Sequence, residues 1–315
     1  MEPGVSEAAI ILHHYPRSPF AEKVRLALGF KGLSWCAVEQ PRVAPKPGLT
    51  VLTGGYRRIP VMQIGADVYC DTRCILRELD RRHPDPTIFP AESAGRAEML
   101  AGWADRQLFA DALGLVFGLH GDRFPPELHA DRARFTAGKF DRWDSVRMKT
   151  RVPDLRAQFA IHLAWLAQAL GDGRAWLAGA ALSVADLAAY HPLWYARGNL
   201  GDEAGLDADP RIAAWLARLD AIGHGAPRDM TPEAALAIAR DAGPTAPPPS
   251  GAAGAFRIGV RLTVTPDDWG FDPVEGELVA IDRDGITIRR DDAVIGTVHV
   301  HFPREGFAIR PAIGQ

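Results

Sequence analysis

Apolar positions follow three successive rhythms along this 315-residue chain. In the first, short apolar runs alternate with helical spacing. Ala9-Ile10-Ile11-Leu12-His13 is a compact apolar run that predicts a buried strand. Ser18-Pro19-Phe20 predicts a helix start, with Ser as N-cap and Pro in the first turn. Phe20, Val24, Ala27 and Leu28 then recur at helical spacing until Gly32 stops them. Ser34 to Val38 predicts a second strand. Pro60 to Ile64 and Asp67 to Cys70, separated by Gly65-Ala66, predict a hairpin. A helix is expected from Thr72, with Ile75, Leu76 and Leu79 on one face. The order is β-α-β, a proline-rich connection, then β-β-α.

The second rhythm begins after the proline-rich stretch His83 to Pro90. From Ser93 to Ile222 the spacing is helical throughout, with breaks at Pro125-Pro126, Pro153, Gly171-Asp172-Gly173 and Asp209-Pro210. A short helix is expected over 231–240, and Gly243 to Gly251 reads as a linker by composition. The period then changes to two. Alternation over 257–264, 276–281, 285–289 and 297–302 predicts four or five short strands, a small barrel or curled sheet. The chain thus divides into an α/β domain over 8–84, an all-α domain over 92–225, a linker with a short helix over 226–251, and a small β-barrel-like domain over 252–313.

Composition narrows the function classes. With 36 Lys and Arg against 39 Asp and Glu, the net charge of −3 points to no polyanionic partner. The C-terminal β segment is itself acidic, which argues against nucleic acid. The N-terminus has neither a basic segment nor a long apolar run, so no signal peptide is expected. No stretch is long and apolar enough for a membrane span. Cys36, Cys70 and Cys74 are too few for a disulfide framework and suit a reducing, cytoplasmic setting.

Three motifs carry a family resemblance. Tyr15-Pro16-Arg17-Ser18-Pro19-Phe20-Ala21-Glu22-Lys23-Val24-Arg25 is similar to the first-helix motif of tau-class glutathione transferases, in which the serine is catalytic, and to the omega class, which has cysteine there. Arg57-Arg58-Ile59-Pro60-Val61 and Asp71-Thr72 resemble the family's cis-proline and its acidic-Ser/Thr pair. Trp176-Leu177-Ala178-Gly179 with Leu182-Ser183-Val184-Ala185-Asp186 resembles the buried capping motif of the helical domain. Together, at these spacings and over about residues 9–225, they are a specific signal. The resemblance implies a thioredoxin-like N-terminal domain, the all-α glutathione transferase domain, and glutathione as co-substrate with no metal.

It also implies roles. By residue type alone Ser18 reads as an N-cap; the family context makes it the hydroxyl that holds the glutathione sulfur as a thiolate. Free thiols have a pKa of ~8.5, so little is ionised at neutral pH. Lowering that by roughly two units takes ~2.7 kcal/mol. A hydrogen bond to a charged acceptor supplies ~1.5–3 kcal/mol and a helix N-terminus ~0.3–1. One hydroxyl so placed can therefore do most of the work. The resemblance implies that Ile59, before a cis Pro60, pairs with the cysteinyl backbone. It implies that Thr72 holds the γ-glutamyl carboxylate at a helix start and that Asp71 takes the γ-glutamyl ammonium. Arg58, or Arg57, is the candidate for the glycine carboxylate. Tyr15 is the rival hydroxyl and an edge of the substrate pocket, to which Trp103 and Gln107 are expected to contribute. Ser183 and Asp186 read as a capping box with a folding role.

Other signals read as ordinary. His299 and His301 share a strand face, as a metal pair would, but have no third ligand nearby in sequence. Cys70 and Cys74 need no redox role. The leading expectation is an enzyme, a homodimer by what the resemblance implies, that activates glutathione for attack on a small electrophile in detoxification. The alternative is a non-catalytic glutathione-binding or protein-interaction scaffold, to which the added β segment lends weight. A thiol-disulfide reductase is disfavoured because Ser18 cannot form a mixed disulfide.

Overall fold

The structure, a computed structural model, describes residues 9–137, 144–246 and 256–312. The end of the expected linker, 247–251, and the first positions of the expected β domain, 252–255, lie outside the described residues. Chain order begins β1 (Ile11–His14), α1 (Pro19–Phe30), β2 (Ser34–Glu39), α2 (Pro47–Thr53), β3 (Val61–Ile64), β4 (Asp67–Cys70) and α3 (Thr72–Arg82). Helices follow: α4 (Ala94–Trp103), a π-helical turn (Ala104–Leu108), α5 (Phe109–His120), α6 (Pro126–Thr136), α7 (Ser145–Thr150), α8 (Val152–Ala169), α9 (Val184–Leu200) and α10 (Pro210–Asp220). The chain then runs through β5 (Ala226–Asp229), α11 (Pro232–Asp241), β6 (Arg261–Pro266), β7 (Val274–Ile281), β8 (Gly285–Asp292), β9 (Gly296–Pro303) and β10 (Phe307–Pro311). Among the described residues no helix is long and apolar enough to cross a membrane.

Two compact units emerge. One takes the described residues of Met1–Ser18, Ser34–Glu78 and Ala226–Gln315; the other takes Pro19–Leu33 and Leu79–Gly225. The first unit holds one ten-stranded sheet in the order β10-β6-β7-β8-β9-β4-β3-β1-β2-β5. Its thioredoxin-like part is mixed: β1 pairs parallel with β2 and antiparallel with β3, and β3 pairs antiparallel with β4. β9 then pairs parallel with β4, so the C-terminal strands continue the same sheet. They form an open antiparallel run rather than closing on themselves, because β9 spends its second edge on β4. The apolar core is shared accordingly. Leu49, Leu52, Val61 and Val68 pack in one cluster with Leu262, Val264, Ile288, Val298 and Phe302.

Local differences from the sequence reading have local causes. The proline-rich connection contains α2, with proline in its first turn, Leu49 and Leu52 buried, and Gly54 closing it in the left-handed conformation at φ 75°. Arg290 from β8 lies so close to Gly54 that a Cβ there would clash, and its Nη1 donates to the Val51 carbonyl at 3.2 Å. A cation at the negative helix end is favourable. β5 is exposed at all four positions and pairs along its main chain with β2. Residues 257–260 form a turn, with Gly259 at φ 89°, so β6 starts later than the alternation suggested.

In the second unit, α9 is the buried axis against which α1, α4 and α5 pack. Its start is the expected capping box. Asp186 accepts from the backbone N–H groups of Leu177 and Ser183 at 2.9 and 3.0 Å, from the Ser183 hydroxyl at 3.0 Å and from Trp215 Nε1 at 3.0 Å. Lys23 of α1 is fully buried and paired with Asp105 in the π-helical turn at 2.8 Å, and His191 of α9 meets the same carboxylate at 3.0 Å.

Candidate functional site

Strand register brings the N-terminal motifs to one end of the sheet. In the antiparallel β1–β3 pair, His13 lies opposite Val61, so Pro60 lies beside the end of β1. Val61 is in turn opposite Cys70, so Asp71 leaves β4 at the same end. The Tyr15–Ser18 turn, Ile59-Pro60 and Asp71-Thr72 therefore all leave from one rim of the sheet, and all belong to the first unit.

Each motif has a defined local shape. Ser18 is buried immediately before α1, its N–H donating to the Tyr15 carbonyl at 3.1 Å in a tight turn. Tyr15 is half-buried. The Ile59–Pro60 peptide is cis, as the resemblance implied. Thr72 is the first residue of α3 and is buried. Asp71 stands just before it in the left-handed region at φ 76°, where its carboxylate accepts the Arg73 N–H at 3.0 Å. That is an N-cap geometry, and a short polar side chain tolerates it.

Behind the rim, the strand floor is polar but closed. His13 Nε2 donates to Gln63 Oε1 at 3.0 Å while its Nδ1 faces Gln40 Nε2 at 3.4 Å. Gln63 passes the chain on to the Ala235 carbonyl at 2.8 Å. Burial pulls His13 from 6.5 down to about 4, so the ring is neutral near pH 7. Burial likewise pushes the Cys70 and Cys74 thiols well up, which leaves neither as a thiolate nucleophile at neutral pH.

Arg58 has partners in the C-terminal region that the sequence did not suggest. Its Nη2 donates to Asp268 Oδ1 at 2.5 Å and also to the Trp269 carbonyl. Burial opposes its charge, but Tyr56, Asp268 and Asp71 outweigh that and hold its proton more firmly than usual. A second acid of the C-terminal region, Glu305, pairs with Arg73 at the start of α3. Both contacts follow from topology. Because β9 runs parallel to β4, the turn after β9 arrives at the site's rim, and the Asp267 N–H ties the turn after β6 to it through the Gly306 carbonyl at 2.9 Å.

The two histidines of β9 do not stand apart as a metal pair. His301 Nε2 lies 2.8 Å from Asp67 Oδ1, and His299 Nδ1 lies 3.9 Å from the same oxygen. Among the described residues no group of three or more His, Cys, Asp or Glu is arranged to hold a metal ion. Trp103 and Gln107 belong to the second unit. Trp103 closes α4 and donates from Nε1 to His162 Nδ1 at 3.2 Å, and Gln107 is exposed in the π-helical turn. That unit also has a cavity of about 330 Å³, lined by Leu115, Phe159, Leu163 and Ile212 with Arg156 among its walls, which includes neither residue.

Comparisons with known proteins fit this geometry. The family model for the glutathione S-transferase N-terminal domain matches residues 12–87, and that for the C-terminal domain matches residues 131–227. The crystal structure of a GST-like protein from Pseudomonas syringae is similar with a TM-score of 0.80 and 36% identity, covering 97% of this chain and 100% of that one. That likeness therefore takes in the C-terminal strands. A tau-class glutathione S-transferase from mango shares the fold at a TM-score of 0.51 and 17% identity, over 69% of this chain and 90% of that one. FtsZ-localized protein A of Caulobacter vibrioides is 28% identical over 189 residues, 56% of this chain and 73% of that protein.

Proposed function

The chain belongs to the glutathione S-transferase family, and on that premise we propose that it binds glutathione at the sheet rim and activates it for attack on a small electrophile. The observation that carries this reading is the convergence of the Ser18 turn, cis Ile59-Pro60 and Asp71-Thr72 at one end of the sheet. Ser18 Oγ, one residue before a helix start, donates to the sulfur and stabilises the thiolate. Ile59 pairs with the cysteinyl backbone and Thr72 with the γ-glutamyl carboxylate at the start of α3. The electrophile pocket belongs to the helical domain. A homodimer and a cytoplasmic location belong to the same reading, supported by two-fold pairing as the commonest symmetry and by three free cysteines. Titrating glutathione into the full chain by calorimetry, followed by a conjugation assay with an aryl halide, tests it. Binding with turnover that Ser18→Ala lowers supports the reading; no binding at millimolar glutathione removes it.

A second reading is a non-catalytic scaffold. The relationship to FtsZ-localized protein A favours it, since the same fold there belongs to a protein named for its place on another protein. Glutathione binding without turnover would select this reading.

A further inference from the structure

We propose that the Asp268-Trp269 turn is an internal competitor for the carboxylate position at Arg58, so that the C-terminal β region sets how tightly the site takes a carboxylate-bearing thiol. The proposal rests on the reading that this rim binds glutathione.

The contact has the chemistry of a bound ligand. Arg58 directly precedes the cis Ile59-Pro60 pair, and its guanidinium feels Asp71 at the start of α3. An arginine there suits the far carboxylate of a peptide lying along Ile59. What it holds instead is a carboxylate of its own chain, from a residue 210 positions away. The end of the same β6–β7 connection also approaches the segment before Arg58, where a Cβ on Gly55 would come within 3.7 Å of the Pro273 carbonyl.

The grip is incomplete, and that makes it displaceable. Asp268 Oδ1 and the Trp269 carbonyl both take the same nitrogen, Nη2. Arg58 Nε is buried and has no hydrogen-bond partner among the described residues. A guanidinium binds a carboxylate best through two parallel N–H donors. A ligand carboxylate lying across Nε and Nη2 satisfies the orphaned donor, which Asp268 in its present pose does not. The Asp268 side chain is 31% exposed, against 15% for Arg58, so the competitor is the wetter partner and can return to solvent. Binding then exchanges one carboxylate for another, and the net gain from this subsite is small while Asp268 is present.

The test is calorimetry on the full chain with two probes: glutathione, and glutathione monoethyl ester, whose glycine carboxylate is blocked. Wild type should bind the two with similar affinity. Asp268→Ala should bind glutathione about tenfold more tightly and the ester unchanged. Asp268→Asn, which keeps the shape of the turn, should shift the same way and serves if the alanine variant misfolds. Adding Arg58→Ala should abolish the gain. If wild type binds glutathione and both Asp268 variants leave it unchanged or weaker, or shift glutathione and ester alike, the competitor is overturned while the glutathione reading stands. If wild type and both variants fail to bind at millimolar glutathione, both fall. Binding only after Asp268 is replaced supports both.

Discussion

Asp67 at the start of β4 and His301 in β9, 234 positions apart, share a 2.8 Å hydrogen bond across the seam where the C-terminal strands join the thioredoxin-like sheet. The other Asp67 oxygen accepts from the Thr245 N–H and hydroxyl at 2.9 and 2.8 Å, and the Tyr69 ring stacks on His301 with centroids 4.4 Å apart. One buried carboxylate thus ties β4, β9 and the start of the linker together. Burial pushes this carboxyl up, but the His301 and Thr245 hydrogen bonds win and hold it below the usual carboxylate range.

Asp67→Ala removes the acceptor of the half-buried His301 ring and the tie to Thr245, whose donors are exposed and can turn to water. The expected loss is roughly 2–4 kcal/mol of unfolding free energy, measured by urea denaturation at pH 7. The sign with pH follows from the depressed carboxyl. Its contribution is present above the ordinary carboxylate range and fades as the pH falls through the lower folded value. The gap between wild type and variant should therefore narrow in acid. A gap that widens instead would mean that Asp67 is not ionised in the folded chain.

The same seam predicts what truncation does. Leu262, Val264, Ile288, Val298 and Phe302 face the same cluster as Val61 and Val68. A chain ending at residue 255 uncovers that cluster and frees the edge of β4. It should be insoluble or lack a cooperative melt, rather than behave as an intact two-domain protein missing an appendage. Soluble expression and calorimetric scanning decide the matter; a sharp transition in the truncated chain would show that the added strands are a separable module.

How much of this was legible in the sequence depends on the range of the interaction. The Ser18, Pro60 and Asp71-Thr72 motifs are contiguous and carry their own turn and cap chemistry, so they could be read residue by residue. So could Ser183 and Asp186, whose capping box needs only three residues of separation. Helix α2 left signals that the prolines of its neighbourhood obscured: a proline in its first turn, apolar Leu49 and Leu52, and Gly54 at its end. β5 left none, since its Ala-Pro-Arg-Asp sequence has no apolar face and its strand character comes from pairing with the β2 backbone. The pairing of Arg58 with Asp268 was beyond reach for another reason. Nothing in the alternation of β9 says that its partner is β4, and without that pairing the turn carrying Asp268 has no address.

His13 supplies a pH prediction of its own. Its folded value near 4 lies below the unfolded 6.5 because burial disfavours the charged ring. The unfolded chain therefore takes up a proton first as the pH falls. Stability due to this residue is complete above about pH 6.5 and is lost between there and about pH 4, a change of about 3 kcal/mol. His13→Gln keeps a hydrogen-bonding group beside Gln63 but cannot titrate. Its denaturation free energy should be less stable than wild type at pH 7 yet flatter between pH 7 and 4.5. Parallel curves for the two proteins would mean that the folded His13 ring takes up a proton as readily as the unfolded one.

The mechanistic prediction concerns Ser18. Its hydroxyl stands one residue before a helix start, at the rim where Pro60 and Asp71 also emerge. If it donates to the glutathione sulfur, its removal costs the hydrogen bond to the thiolate far more than it costs the neutral thiol. Ser18→Ala should then lower conjugation turnover at pH 7 by roughly 10–150-fold. Glutathione affinity should change much less, because the contacts along Ile59 and Thr72 are untouched. The pH profile of turnover should move upward, since more base is needed to ionise a thiol that has lost its donor. Loss of an N-cap would instead lower the melting temperature and leave the pH profile in place. The deciding measurement is the ultraviolet absorbance of bound thiolate against pH in wild type and Ser18→Ala. A higher midpoint in the variant assigns the thiolate to Ser18; coincident midpoints make Ser18 a cap and turn attention to Tyr15, the other hydroxyl of the same turn.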